Sequence, residues 1–320
     1  MDTGSHLLCG VTLAGLAHLD PFVANHPGFA TVLMIGTIMG SHAPDFDMAA
    51  RIKGFAAYIR YHRGVTHSFP ALFAWPLLIA VVLAKGFGVE EQWMTLYLWT
   101  FAAVVIHVGL DMLNSYGVQC FRPFSRKWIH LDILAIFEPV LFLLHAGGLI
   151  FWLSLHYSPA PIFVGVYAAS FSYIGLRAWH HALVLQKVAA CLAITGIIQV
   201  LPTFSWFHWR FVLETEACFY TGQVVHGRVT LEDVYSKQKR NAVIQATLGT
   251  DGVRAFLGFA QRIHVTCREL QDGYEVRWSD VRFWYKRKLP FGVDVKLDRN
   301  MRVIKHTLGW RKKVWDPPFV

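Results

Sequence analysis

The sequence predicts a mainly α integral membrane domain, built from an N-terminal re-entrant hairpin and about four transmembrane helices, followed by a small α+β cytoplasmic domain. Composition is the first reason: of 320 residues, 54% are hydrophobic and only 16% charged, with mean hydropathy +0.38, well away from the soluble average. Four apolar runs long enough to cross a hydrocarbon core are the second. The third is charge. Residues 1–201 carry 10 Lys+Arg against 9 Asp+Glu and residues 202–320 carry 20 against 12, so a net +9 divides as +1 and +8. Two unlike domains follow, a membrane-embedded one over 1–201 and a basic α+β one over 202–320.

Two short apolar segments come first, HLLCGVTLAGLA and FATVLMIGTIMG, separated by the polar turn HLDPFVANHPG. Each covers only about 18 Å as a helix, short of a bilayer, so they predict a re-entrant or interfacial hairpin whose ends, near His6 and Asp45, emerge together. The first segment is broken by Gly and lacks a basic flank, so it does not read as a cleaved signal peptide. The long runs are 69–86, 93–114, 134–157 and 160–180. The connections KGFGVEEQ and YSPAP hold one Lys between them, whereas the opposite loops hold Arg51, Lys53, Arg60, Arg63, Arg122, Arg126 and Lys127, with Arg177 at the end of the last run and Lys187 after it. The positive-inside rule makes that second side cytoplasmic. Residues 181–201 contain Gln186 and Lys187 in an apolar pattern, and an interfacial helix is favoured because a fifth crossing would send the basic domain outside. Beyond 202, WRFVLETEACFYTGQVV, RIHVTCREL, GYEVRWSDVRFWY, FGVDVKLD and MRVIKHTLGW predict strands, and GVRAFLGFAQR a helix. The five cysteines are scattered and form no Cys-x-x-Cys pair, which argues against a disulfide framework or a metal finger.

Titratable groups gather at one depth once the spans are drawn. YHRGVTHSF puts His62, Arg63 and His67 before the first long run, and HVGLD puts His107 and Asp111 four apart, on one helix face, at the end of the second. GSHAPDFD adds His42, Asp45 and Asp47 after the hairpin, which His6 opens. Ionisable groups at membrane depth default to function. Histidines with carboxylates form a donor set for zinc, manganese or iron, and clustered carboxylates in a low-dielectric setting need a countercharge. Asp45, His67, His107 and Asp111 are therefore the expected ligands of one or two divalent ions. Asp47 or His62 would orient water or act as base, and Arg63 would pair with a phosphate oxygen. The plainer alternatives are helix capping by Ser68, a mutual His107–Asp111 hydrogen bond and an ordinary turn at Asp45 and Asp47. His6 and His42 fit a role in supporting the ligands or the fold as well as ligation. Asp132 and Glu138 are secondary candidates, because acids at a helix N-terminus are favoured anyway.

These motifs resemble the bacterial family labelled membrane-bound metal-dependent hydrolase, also described as LexA-binding inner-membrane-associated hydrolases, with a YdjM-like and a longer YfhP-like branch. The matching elements are SH at 5–6, GSHAPDFD, HRGVTHS, HVGLDMLNSYG, RPFS at 122–125 and LDILAIFEP. FHWRFVLETEACFYTGQV and VRWSDVRFWY resemble the soluble tail of the longer branch. The resemblance implies a bacterial inner-membrane location and a metal-dependent hydrolase activity. The motif order is also similar, more distantly, to zinc-dependent phospholipase C, which would make His6, Asp45, His67, His107 and Asp111 ligand counterparts. That family has a further His and a His-x-x-x-Glu pair, and His130, Asp132 and Glu138 have the wrong spacing for them.

The leading expectation is an inner-membrane metallohydrolase acting on a phosphoester or phospholipid headgroup at the cytoplasmic interface. A regulatory or scaffold protein with a structural metal is the alternative, its basic domain (with FWYKRKLPF) meeting an anionic lipid or protein partner. No nucleic-acid-binding motif is present, so DNA is a disfavoured partner. A proton-relay transporter is less attractive without repeat symmetry.

Overall fold

A computed structural model describes residues 1–155, 157–239 and 241–311. Its helices are α1 (Thr3–Leu16), α2 (Pro21–Asn25), α3 (Pro27–Gly40), α4 (Phe55–Tyr61), α5 (Phe69–Phe87), α6 (Trp93–Met112), α7 (Pro139–Leu155), α8 (Pro159–Leu192), α9 (Ala242–Ala246) and α10 (Asp251–Phe259). The strands are β1 (Ile197–Pro202), β2 (His208–Glu214), β3 (Cys218–Val225), β4 (Arg228–Ser236), β5 (Ile263–Leu270), β6 (Gly273–Asp280), β7 (Phe291–Asp298) and β8 (Val303–Trp310). They form two compact units: Met1–Asp47 with Arg63–Trp179, and Met48–His62 with the chain from His180 onward. This partition differs from a single cut at residue 201. The loop carrying α4 and the end of α8 both belong with the strands.

In the first unit the two short apolar segments become α1 and α3. Asp2 caps α1 by accepting from the Ser5 backbone N–H at 3.0 Å. Asp20 does the same for Phe22 at 2.8 Å, and proline starts α2 and α3 at positions where its missing N–H costs nothing. Small residues let these helices approach closely. A Cβ on Gly10 would lie 3.0 Å from the Thr37 carbonyl oxygen, and one on Gly40 would lie 2.8 Å from the Thr100 carbonyl oxygen of α6. The last turn of α3 is thereby seated directly on α6.

Among the described residues, three helices are long and apolar enough to cross a membrane: Phe69–Phe87, Glu90–Met112 and Pro159–Leu192. The run at 134–157 yields α7, a 17-residue apolar helix that begins later than its hydropathy suggests. Residues 131–134 are taken up by the end of α6: the N–H groups of Leu131, Ile133 and Leu134 donate to the carbonyls of Met112 and Leu113. They satisfy carbonyls that a helix end leaves open.

The expectation of a separate interfacial helix at 181–201 is corrected. Helix α8 runs 34 residues without interruption, about 51 Å, and the chain then enters β1. Gln186 and Lys187 are exposed, whereas Val184 and Val188 are buried against Val200, Trp209, Phe211 and Val224. A sheet, not lipid, accounts for the apolar periodicity there.

The second unit holds two four-stranded antiparallel meanders, β1-β2-β3-β4 and β5-β6-β7-β8. The long apolar stretch from 208 folds as the hairpin of β2 and β3, β1 begins inside the stretch expected as an interfacial helix, and β4 and α4 lie in segments for which no strand or helix is expected. Arg282 and Asp280 form a fully buried ion pair at 2.7 Å, and Phe256 and Phe259 of α10 are buried, their rings packed with Phe291.

Candidate metal centre

The site is assembled in the first unit from three places. The end of α3 and the turn after it deliver Ser41 and Asp45, the turn Arg63–His67 delivers His67, and the last turn of α6 delivers His107 and Asp111. Asp45, His67, His107 and Asp111 each bring one ligand atom to within 4.8 Å of all the others. His67 Nε2 lies 3.3 Å from His107 Nε2, 3.6 Å from Asp45 Oδ1 and 3.5 Å from Asp111 Oδ2. His107 Nε2 lies 3.7 Å from both of those oxygens. Donors about 2.0–2.2 Å from a tetrahedral ion stand roughly 3.3–3.6 Å apart. The five separations that involve the imidazoles, 3.3–3.7 Å, lie close to the edges of such a polyhedron.

The ring tautomers suit ligation. His107 Nδ1 donates to the Ser41 carbonyl at 2.7 Å, which leaves the Nε2 lone pair facing the cluster. His67 Nδ1 lies 3.1 Å from the Thr66 hydroxyl, so its Nε2 faces the same way. Asp111 is divided between its two oxygens. Oδ1 accepts from Arg63 Nη2 at 2.9 Å, from the Met1 ammonium and from Asn114 Nδ2 at 3.4 Å. Oδ2 is buried and receives no hydrogen bond among the described residues. A buried carboxylate oxygen without a donor is costly, and a cation beside the imidazoles is the partner this geometry suits. Burial would raise the Asp45 carboxyl, but its contacts with His107 and His67 outweigh burial and hold it well below the usual carboxylate range. Burial would lower His67, yet Asp111 and Asp45 turn the balance and raise it.

The remaining candidates fall around this group. His6 stacks on His107 with ring centroids 3.8 Å apart and places Nε2 3.4 Å from Asp111 Oδ1, beside the four donors and outside their number. Arg63 spends its guanidinium on Asp111 and, at 3.0 Å, on Asn114 Oδ1. Asp47 Oδ2 accepts from the Arg63 N–H at 3.0 Å and from the Thr66 hydroxyl, fixing the turn that carries His67. His62 ends α4 and stacks on Tyr58 at 4.6 Å; its ring belongs with the second unit. His42 contacts the Ile38 carbonyl and Ser41 hydroxyl, each at 3.1 Å. Asp132 pairs with His130 at 2.8 Å and Glu138 accepts from the Tyr173 hydroxyl at 2.7 Å, both outside the four-donor group.

Two residues that brace the site, and one buried network away from it, escaped sequence reasoning. Ser41 acts through its backbone carbonyl, which no side-chain pattern reveals. Asn114, three residues after Asp111, had a signal in its helical spacing. His145 joins Thr12 at 2.7 Å and Ser170 at 3.2 Å in a buried network across α1, α7 and α8.

The motif-bearing residues coincide with a known family. The sequence model of the YdjM inner membrane protein family matches residues 1–184. The chain belongs to that family. This YdjM-family chain also matches the YfhP middle domain over 195–235 and the YfhP C-terminal alpha/beta plait domain over 242–315. The first of those ranges coincides with the β1–β4 sheet, and the second begins at α9. A relative from Bacillus subtilis (strain 168), described as uncharacterized protein YfhP, is 34% identical over 314 residues, covering 97% of this chain and 95% of its own length. No solved structure matches the chain. The likeness to zinc-dependent phospholipase C thus rests on motif order alone.

Proposed function

We propose that this inner-membrane protein holds a divalent cation on Asp45, His67, His107 and Asp111 and hydrolyses a phosphoester, with a phospholipid headgroup as the favoured substrate class. The observation that carries the reading is the four-donor geometry around the buried, donor-free Oδ2 of Asp111. Two imidazoles and two carboxylates suit zinc first, then manganese or iron. Such an ion, when bound, activates water and neutralises charge on a phosphoryl oxygen. The chain's own residues divide the remaining work. Arg63 and Asn114 fix the Asp111 carboxylate, Ser41 fixes the His107 ring, and Asp47 holds the turn of His67.

A lipid substrate is supported by the residues just before two of the ligands. Ile106 and Leu110 line an apolar cavity together with Cys9, Leu141, Phe171 and Ile174, and Phe171 is 63% exposed on a membrane-length helix. In this reading α7 is a fourth crossing, α1 and α3 form a re-entrant hairpin, and the basic unit is cytoplasmic, where its surplus charge meets an anionic lipid or protein partner.

A structural metal in a scaffold protein is favoured by one specific feature: four protein donors can close a tetrahedral ion, whereas catalytic sites keep a position open. A five- or six-coordinate ion would retain that position. The test is release of headgroup phosphate from a phospholipid and soluble phosphoester panel by reconstituted protein loaded with zinc, manganese or iron, beside Asp45→Asn. Turnover lost in the variant supports hydrolysis. A metal that raises the melting temperature but supports no turnover with any of the three ions overturns hydrolysis in favour of the structural role.

A further inference from the structure

We propose that the β1–β2 loop of the second unit, residues 203–207, is a membrane-docking foot that buries Phe204 and Phe207 in the headgroup region of the leaflet beside the exit of α8. The inference is independent of the metal centre and needs only that α8 crosses the bilayer.

The depth follows from counting along one helix. From Pro159 to Trp179 is about 21 residues, roughly 31 Å at 1.5 Å per residue, which equals a hydrocarbon core of about 30 Å. The polar pair His180 and His181 comes next, preceded by Trp179, which is 62% exposed. An exposed Trp followed by polar residues marks an interface. Helix α8 continues past this point and is locked to the sheet: Val184 and Val188 are buried against Val200, Trp209, Phe211 and Val224, and His181 Nε2 lies 3.2 Å from the Val200 carbonyl oxygen. The sheet therefore cannot move along the membrane normal independently of this part of the helix.

The loop sits at the height of His180. Trp206 stacks on the His180 ring at 5.4 Å, and Phe207 meets the same ring edge-on at 6.2 Å. The Trp209 indole N–H ties the loop down by donating to the Trp206 carbonyl at 3.1 Å. Phe204 and Phe207 nevertheless remain 48% and 53% exposed, an apolar pair held outward on a short, braced loop. A water-facing loop between two short strands would not be expected to keep two phenylalanines out.

The surroundings select lipid over a protein groove. The β3–β4 turn lies alongside, with the His226 ring stacked on Phe207 at 5.6 Å and the His226 N–H donating to the Phe207 carbonyl at 3.0 Å. His226 and Arg228 are exposed there, as is Lys187 on α8. Outward aromatics with the cations Arg228 and Lys187 beside the same turn match the interface of an anionic leaflet, where rings settle among the headgroups and Lys or Arg reach phosphates.

The test uses the full chain in vesicles of phosphatidylglycerol and phosphatidylethanolamine, with Cys191, Cys218 and Cys267 replaced by serine and one environment-sensitive fluorophore at Phe204→Cys, Phe207→Cys or, as control, Asp272→Cys in the exposed β5–β6 turn. Docking predicts blue-shifted emission at 204 and 207, at least twofold quenching by lipids carrying a nitroxide near the glycerol, and protection from aqueous iodide, with none of these at 272. Probes at both 204 and 207 that behave like the one at 272 would overturn the proposal. So would protection that vanishes when the protein is diluted among vesicles, which would assign the patch to a second copy. A circular dichroism and melting profile matching the parent confirms that each labelled chain is folded; because both sites are substantially exposed, two positions keep the test decisive if one variant fails.

Discussion

Replacing Arg63 by methionine isolates the claim that the outer oxygen of Asp111 is held so that the inner one can bind a cation. The guanidinium is buried, 7% exposed, and donates to Asp111 Oδ1 at 2.9 Å and Asn114 Oδ1 at 3.0 Å. Methionine keeps most of the aliphatic volume and removes both bonds. Loss of a partner that orients a ligand costs about 10–100-fold in metal affinity, which is roughly 1.4–2.8 kcal/mol. Removing one member of a buried pair costs about 3–5 kcal/mol of stability. Affinity is read by competition with a chelator in detergent, and stability by the melting temperature. The expected variant still binds one equivalent at saturation, with a dissociation constant raised 10–100-fold. An unchanged constant in a folded variant would refute the assignment of Arg63 as a positioning residue and leave it available to bind substrate directly.

Other substitutions reach the site and the second unit separately. Gly40→Val would drive a side chain into the Thr100 carbonyl, 2.8 Å from the Cβ position; an overpacking cost of about 1–3 kcal/mol, and weakened metal binding through the displaced Ser41 carbonyl, are expected from the same chelator and melting measurements. Arg282→Met strands the buried Asp280 carboxylate and should destabilise the second unit by about 3–5 kcal/mol, seen as earlier loss of tryptophan fluorescence in denaturant. Burial depresses both His208 and His264 below the ordinary imidazole value of 6.5. At these two positions the unfolded chain binds protons first as pH falls, so their contribution to stability is level above about 6.5 and declines below it. His264→Gln should flatten that decline in unfolding curves taken from pH 7.5 to 5.5, and an unaltered slope would count against a neutral buried His264.

The four-donor cluster is partly legible in sequence because two of its members share a helix face: His107 and Asp111 are four apart, and a helix necessarily places them together. Asp45 and His67 were legible only by depth, inferred from where hydrophobic runs stop. Nothing in HRGVTH tells which way the Arg63 guanidinium turns; the fold directs it inward onto Asp111. The strands β5 to β8 were visible through alternation and Asp-Gly or Asp-Arg-Asn turns. By contrast β4, with the sequence RVTLEDVYS, has half-buried or exposed faces throughout, so no apolar alternation announces it. The end of α8 misled because a helix face covered by a sheet and one covered by lipid have the same periodicity.

The most direct measurement is the metal content of purified wild-type protein beside a folded His107→Ala, Asp111→Ala double variant. Near-stoichiometric zinc, manganese or iron in the wild type, absent from the variant, is the predicted result. A wild type that carries no metal and takes up none of the three on reconstitution would contradict the account.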